Sequence, residues 1–314
     1  MPSHLGLVTS LVTAQGSAMS EHSPPMVIER AQDMSRWVEN QHQKGLRIGF
    51  VPTMGALHAG HLSLVRLAQE MADVVVVSVF VNPTQFGEGE DFAAYPRDRE
   101  SDLAVLDGAG VDAVFMPGVE DIYPEGEHAV TVSAGPIGAV LEGAHRPAHF
   151  DGVVAVVSRL FDIVTPDIAV FGKKDAQQLA VIRQLGEAKY PGVEIVAGEV
   201  VREADGLALS SRNRYLTTDE RVLATKFPVA LSRAAERLRQ KQGSVEGVLS
   251  DARAKLTTTE GVELEYVELV DSKTFSPVED WKPSVCVLVG AVRINTTRLI
   301  DAVWFDTDGR KPAQ

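Results

Sequence analysis

Thiols are almost missing: the 314 residues include one cysteine, Cys286. That excludes an intrachain disulfide and a thiolate metal cluster, and it fits a reduced, cytoplasmic setting. Inside the apolar run Val285–Val289, Cys286 reads as a small buried hydrophobe. Positive charge is also scarce, with 30 Lys and Arg against 43 Asp and Glu and a net charge of −13. Such a balance repels nucleic acid and anionic membrane, so an anionic substrate needs cations placed locally. Long apolar runs are lacking. The longest, Val74–Val81, is far too short to cross a bilayer and reads as a buried strand. No Gly-x-x-x-x-Gly-Lys-Ser/Thr, Gly-x-Gly-x-x-Gly or His-Glu-x-x-His occurs, which removes support for a Walker-type ATPase, a dinucleotide site or a helical zinc-protease motif. Residues 1–25 are low in charge, and no Lys or Arg precedes the weak apolar stretch Leu5–Val12. A disordered extension, or a true start at Met19 or Met26, is expected there rather than a secretion signal.

A chain of this length suits two domains and needs no metal or disulfide to fold. Periodicity predicts helices at Asp33–Lys44, about Gly60–Met71, Arg99–Asp107, Val153–Val164 and Ala176–Glu187. Strands are predicted at Arg47–Val51, Val74–Val81, Ala113–Met116, Ile168–Phe171 and Glu194–Val201. Strands alternating with helices point to a Rossmann-like, doubly wound parallel sheet. Beyond Arg202 the pattern changes to helices at Asp219–Gln240 and Val245–Leu256, then strands at Leu264–Val270, Val285–Val292 and Arg298–Asp301. The expected division is a tail over 1–25, a nucleotide-binding domain over 26–202 and a smaller α+β domain over 203–314.

Four segments carry chemistry. Pro52-Thr53-Met54-Gly55-Ala56-Leu57-His58-Ala59-Gly60-His61 joins the first of these strands to its helix, where an open α/β sheet binds ligands. Glycines there let backbone approach a ligand, and the helix start offers free N–H groups to phosphate. His58 and His61, three residues apart, should share one face of a helical first turn and donate to phosphoryl oxygens. Two nearby histidines are also common as packing residues, and a metal site would need a third ligand that is not at suitable spacing. The second segment, Asn82-Pro83-Thr84-Gln85, turns sharply off a strand end and offers neutral amide donors, suited to a hydroxy acid. The third, Gly172-Lys173-Lys174-Asp175-Ala176-Gln177-Gln178, brings lysines that can reach a triphosphate, with Asp175 as the expected helix N-cap. The fourth, Leu209-Ser210-Ser211-Arg212, combines hydroxyls and a guanidinium into a phosphate clamp between domains.

His-x-Gly-His at this place resembles the nucleotide signature of the nucleotidylyltransferase and class I aminoacyl-tRNA synthetase superfamily. All four segments, with Leu141-Glu142-Gly143, Arg146-Pro147, His149-Phe150 and Thr297-Arg298-Leu299-Ile300-Asp301, resemble the pantothenate synthetase family over about Val27–Val303. The resemblance implies an AMP-forming ligase that joins pantoate to β-alanine through a pantoyl adenylate, using ATP and Mg2+, in a cytoplasmic homodimer. It implies ATP contacts from Met54, Gly55, Ala56, Leu57, His58, Ala59, Gly60 and His61, from Gly172, Lys173, Lys174 and Asp175, from Val201, and from Leu209, Ser210, Ser211 and Arg212. His61, His58, Lys174 and Arg212 would be catalytic, and Gln85 and Gln178 would hold pantoate, with Gln85 bordering the β-alanine site. Mg2+ is expected mainly on the triphosphate, with Asp102 a subsidiary candidate ligand. The sequence departs from the family's usual residues at Lys173, Leu209 and Ala148, the last standing where Gly is frequent. Two rivals remain at this stage: an adenylyltransferase acting on a phosphate ester, and a catalytically silent nucleotide-binding protein.

Overall fold

Valines at consecutive positions look like one apolar run, yet they serve two faces. In the computed structural model, which describes residues 23–124, 132–282 and 285–305, Val74 and Val76 enter one core while Val75 and Val77 enter another. A strand whose side chains alternate between faces must be apolar throughout when helices cover both. Around it lie β1 (Met26–Ile28), β2 (Ile48–Thr53), β3 (Val74–Val79), β4 (Ala113–Phe115), β5 (Ile168–Gly172) and β6 (Glu194–Gly198). They form a six-stranded sheet in the order β1-β4-β3-β2-β5-β6, every pairing parallel. The chain order reverses between β2 and β5, so a crevice opens at their C-terminal ends.

Helices α1 (Ala31–Gln43), α6 (His149–Val164) and α7 (Ala176–Lys189) supply one core, through Met34, Val38, Leu160, Phe161, Leu179 and Ile182. On the other face α2 (Ala59–Gln69) and α3 (Arg99–Gly108) bury Leu64, Val65, Ala68 and Leu106. The short helices α4 (Val119–Ile122) and α5 (Glu142–His145) lie in the connection from β4 to α6. The C-terminal part holds α8 (Thr218–Ala224), α9 (Lys226–Arg239) and α10 (Val245–Thr257). Strands β7 (Glu263–Asp271), β8 (Cys286–Ile294) and β9 (Thr297–Trp304) form its antiparallel sheet in that order. Leu231, Leu238, Leu249 and Leu256 pack with Leu269, Leu288 and Leu299 in a separate core. Val287, Val289 and Ala302 join the first core instead, so the small sheet is docked on the large one. Cys286 is buried.

The doubly wound parallel sheet with a smaller antiparallel one matches the expected class. Several boundaries differ, for local reasons. The edge strand β1 was not expected, because three residues with Met26 and Val27 exposed carry no periodic signal. The helix expected at Asp219–Gln240 is two helices. Pro228 has no N–H for the Ala224 carbonyl, so the ladder breaks at Thr225. Strand β6 ends at Gly198 rather than Val201, because the chain turns into a hairpin in which the Leu209 N–H donates to the Val201 carbonyl at 2.9 Å. Helix α6 begins at His149, four residues before the expected Val153. Phe150 of the first turn already enters the core, but His149, Asp151 and Gly152 around it interrupt the apolar periodicity. The tail, apart from residues 23–25, lies outside the described residues.

Ala148 stands in a backbone conformation suited to glycine: φ is +65°, a left-handed conformation that costs an L-residue about 1–2 kcal/mol. Its side chain is exposed, so removing the methyl sacrifices no packing. Ala148→Gly is expected to stabilise the fold by about 0.5–1 kcal/mol after the extra chain entropy of glycine is subtracted. Urea unfolding checks this, and an unchanged or lower midpoint would contradict it.

Candidate active site

The loop from β2 to α2 is built by hydrogen bonds that the sequence pattern alone does not reveal. Gly55 and Ala56 have φ of +81° and +50°. This tight turn aims two N–H groups inward at Asp102 on α3, where Oδ2 accepts from Ala56 at 3.1 Å and Oδ1 from Leu57 at 2.8 Å. Asp102 is buried, and an ionised carboxylate that accepts backbone N–H groups is well compensated there. A Cβ built on Gly55 would meet Asp102 Oδ2 at 2.7 Å, so the turn closes only with glycine at that position. Both oxygens of Asp102 hold the loop, which corrects its candidacy as a magnesium ligand. Among the described residues no group of three or more His, Cys, Asp or Glu could hold a metal ion.

His58 and His61 also differ from the expected pair on a helical turn. His58 is the N-cap of α2 with extended backbone, φ −144° and ψ 175°, and only His61 lies within the helix. The two close a reciprocal cap: His58 Nδ1 accepts from the Gly60 N–H at 3.2 Å, and His61 Nδ1 accepts from the His58 N–H at 3.2 Å. Their rings stack with centroids 4.1 Å apart, so the expected juxtaposition is kept by another route. Burial first, then the Lys174 ammonium, lowers the His58 pKa to about 4. Burial, followed by the neighbouring His58 and by Lys174, lowers that of His61 to about 3. Each ring is therefore neutral at pH 7 with Nδ1 accepting, which leaves the proton on Nε2 as a donor.

The other segments converge on the same strand ends. A cavity of about 860 Å³ between the two sheets is lined by Lys174, Asp175, Gln178, Ser210 and Arg212, with Glu90, Asp91, Arg146 and His149 opposite. Gln177 and Gln178 both line it; Gln177 is buried, its amide donating to the Ile137 and Val140 carbonyls. Gln85 is buried beside the cavity; its Nε2 lies 2.9 Å from Met54 Sδ, and its Oε1 accepts from Asn82 at 3.1 Å. Neither Gln85 nor the Met54–His61 turn borders the cavity itself. The neighbour of that turn is Leu209, whose Cβ would lie 3.6 Å from a Cβ built on Gly60. The Leu209–Arg212 loop thus sits between the histidine turn and the open space. Its Ser210 hydroxyl accepts from the Arg212 N–H at 3.3 Å, capping the helical turn Ser211–Tyr215. Val201 joins it as the Leu209 partner in the preceding hairpin, which a fork from Arg202 to Asp301 ties to β9 at 2.7 and 3.0 Å.

Two cations are engaged differently from expectation. Lys173 is buried, with Nζ 2.8 Å from Glu199 and 5.5 Å from the Trp304 ring centroid. Its charge is compensated at the β6 edge, which corrects the expectation that it is mobile beside a nucleotide. Arg212 forms a fork with Asp91 at 3.1 and 2.8 Å. Lys174, 3.7 Å from Asp175, does line the cavity. Asp175 occupies the N-cap position of α7, but its side chain makes no capping bond. Gly172, the last residue of β5, has nothing within 4 Å of a built Cβ, so backbone can be approached there.

Neutral imidazole donors at a helix start, a lysine and an arginine beside a crevice, and a parallel sheet beneath define an α/β protein suited to an anionic ligand at its strand ends. Comparison with known proteins narrows this. Residues 26–304 match the family described as pantoate-beta-alanine ligase. A pantothenate synthetase of Heliobacterium modesticaldum is 47% identical over 275 residues, covering 88% of this chain and 97% of that protein. The crystal structure of pantothenate synthetase from Thermus thermophilus is similar with a TM-score of 0.83 and 42% identity, over 90% of this chain and 99% of that one. Pantoate-beta-alanine ligase from Francisella tularensis, complexed with beta-gamma ATP and beta-alanine, gives a TM-score of 0.72 and 32% identity over 92% and 100%. The chain belongs to the pantoate-beta-alanine ligase family.

Asp102→Asn retains the size but puts an amide donor against two backbone donors. It is expected to lower the ATP-dependent activity at least about tenfold, because a buried donor left unsatisfied costs about 1–3 kcal/mol. Initial-rate kinetics checks this, and wild-type values for Asp102→Asn would contradict the loop-holding role.

Proposed function

We propose that the chain condenses pantoate with β-alanine in two steps at this crevice, with ATP as the activating substrate. The observation that carries it is the reciprocal cap, which leaves two neutral Nε2–H donors side by side at the start of α2. In the first step a pantoate carboxylate oxygen attacks the α-phosphorus, the bond to the bridging oxygen breaks and pyrophosphate leaves. His58, His61, Lys174 and Arg212 stabilise the charge that builds on the phosphoryl oxygens. Adenylation by a carboxylate consumes no proton, so His61 acts as a hydrogen-bond donor. In the second step the neutral amine of β-alanine attacks the acyl carbon, the C–N bond forms, the C–O bond to the phosphate breaks, AMP leaves and the nitrogen gives up its surplus proton to water.

The remaining assignments are part of the same proposal. Residues Met54 through His61, Gly172, Lys174, Asp175, Val201 and Leu209 through Ser211 surround ATP, and Gln85 and Gln178 hold pantoate. Lys173 stands behind this set, its ammonium held by Glu199 and its carbonyl accepting from the Trp304 indole at 2.8 Å. Residues 26–202 carry the nucleotide and pantoate, and the part from 203 closes over them. Leu209–Arg212 withdraws from Gly60 to admit ATP, and Arg212 exchanges Asp91 for phosphate, shielding the adenylate from water. Mg2+ would be carried mainly by the triphosphate, where it would neutralise phosphate charge with few protein ligands. A cytoplasmic homodimer belongs to the same reading. The Francisella relative's complex with beta-gamma ATP and beta-alanine supports the nucleotide and amine assignments.

Pantoate-dependent exchange of labelled pyrophosphate into ATP, without β-alanine, is the expected activity. Exchange that appears only with a phosphate ester would replace the ligase by an adenylyltransferase, and no exchange at all would leave a silent nucleotide binder. His61→Ala should lose at least about a hundredfold in exchange rate, the usual loss for one preorganised donor, with its circular dichroism unchanged. The pKa values of about 4 and 3 also predict that neither ring titrates between pH 5 and 8. Because both are depressed, the unfolded chain binds more protons than the folded one below about pH 6.5, so these groups make stability fall as pH falls through that range. Ring-nitrogen NMR reads this directly, and an inflection near 6.5 for either residue would defeat the neutral-donor mechanism.

A further inference from the structure

The first turn of α6 forms a bench beneath the Asn82–Gln85 turn. Gly152 lies so close that a Cβ on it would meet the Thr84 oxygen at 2.3 Å and the Gln85 nitrogen at 2.7 Å. The Asn82 amide donates to the Gly152 carbonyl at 3.1 Å. One turn back, His149 Nδ1 is 2.8 Å from the Gln85 carbonyl oxygen, and His149 Nε2 is 3.1 Å from Arg146 Nη1. A guanidinium only donates, so Nε2 must accept. The ring proton is therefore on Nδ1 and is given to Gln85. Arg146 is itself held in a fork by Glu90, at 2.7 Å from each oxygen. Burial, and then the Arg146 charge, lower the His149 pKa to about 4 against the raising influence of the Gln85 carbonyl, Glu142 and Glu90, so the single-proton ring persists at neutral pH.

We propose that His149 is a positioning residue for substrate recognition: held in one tautomer by Arg146, it fixes the Gln85 main chain and so aims the amide that meets the hydroxy acid. This rests on Gln85 being a pantoate contact. Glu90 forms the outer link; Arg146 holds the ring and also donates to the Gln85 carbonyl itself, at the longer distance of 3.4 Å against 2.8 Å from His149, and Ala148 before the helix start has φ +65°. The bonds that run from Glu90 through Arg146 and His149 to the Gln85 carbonyl include no residue of the nucleotide loop, which gives the role its own kinetic mark.

The test is pyrophosphate exchange by the full chain. His149→Ala should raise the pantoate KM about tenfold, the loss of roughly one hydrogen bond and its alignment, and leave the ATP KM within about twofold. His149→Asn puts an amide N–H near the place of Nδ1 and should restore most of the loss, whereas His149→Gln, whose amide overlays Nε2, should not. An unchanged pantoate KM in His149→Ala, equal rises in both KM values, or rescue by Gln as good as by Asn would each overturn the proposal. If His149→Ala does not fold, the Asn and Gln variants decide. A wild-type chain without exchange would count against the ligase reading. The positioning role would then be judged from hydrogen exchange at Thr84 and Phe86, which must quicken in the Gln variant and not in the Asn variant.

Discussion

A parallel sheet with helices on both faces leaves its strand ends as the places where backbone can meet a solute. This constraint organises the whole molecule. The valines of β3 divide between two cores, so neither face of that strand is available for binding. The four chemical segments each follow a strand or a strand-derived hairpin, at β2, β3, β5 and β6. The connection rules of the fold gather them at one edge. The antiparallel sheet docks beside that edge through Val287, Val289 and Ala302 and supplies the facing wall.

Around the crevice, the polar groups fall into two kinds. Backbone donors are committed permanently: Ala56 and Leu57 to Asp102, Gly60 and His58 to ring nitrogens. These bonds set geometry and tautomer before any ligand arrives, which lowers the reorganisation needed as charge develops. The cation of Arg212 is instead matched to Asp91 by a fork within the cavity wall. A half-buried ion pair is an exchangeable partner, because a phosphate can offer the guanidinium the same two-point geometry. Lys173 belongs to the first kind, despite its place beside Lys174, since Glu199 and Trp304 enclose its charge.

Much was legible in the sequence because it depends on short-range pattern. The alternation of elements, the turn at Asn82-Pro83 and the glycine-bearing histidine loop all follow from residue order. The less legible features depend on distant partners. Asp102 is an unremarkable first-turn acid on α3 until the loop from β2 folds over it, 45 and 46 residues away in sequence. Lys173 reads as a solvated loop lysine until β6 and β9 close around it. The split at Pro228 was available locally, since a proline inside a long helical pattern signals a break.

The amino-acid sequence alone determined the class of sheet, the positions of the ligand-facing loops and the kinds of donor they carry, because these depend on periodicity, turn chemistry and side-chain type. Tertiary structure decided which nitrogen of each histidine carries the proton, which lysine faces the cavity, and which carboxylate holds the loop. Those outcomes depend on hydrogen bonds and ion pairs between segments far apart in the chain, and their energies rest on burial that exists only once the two sheets have packed together.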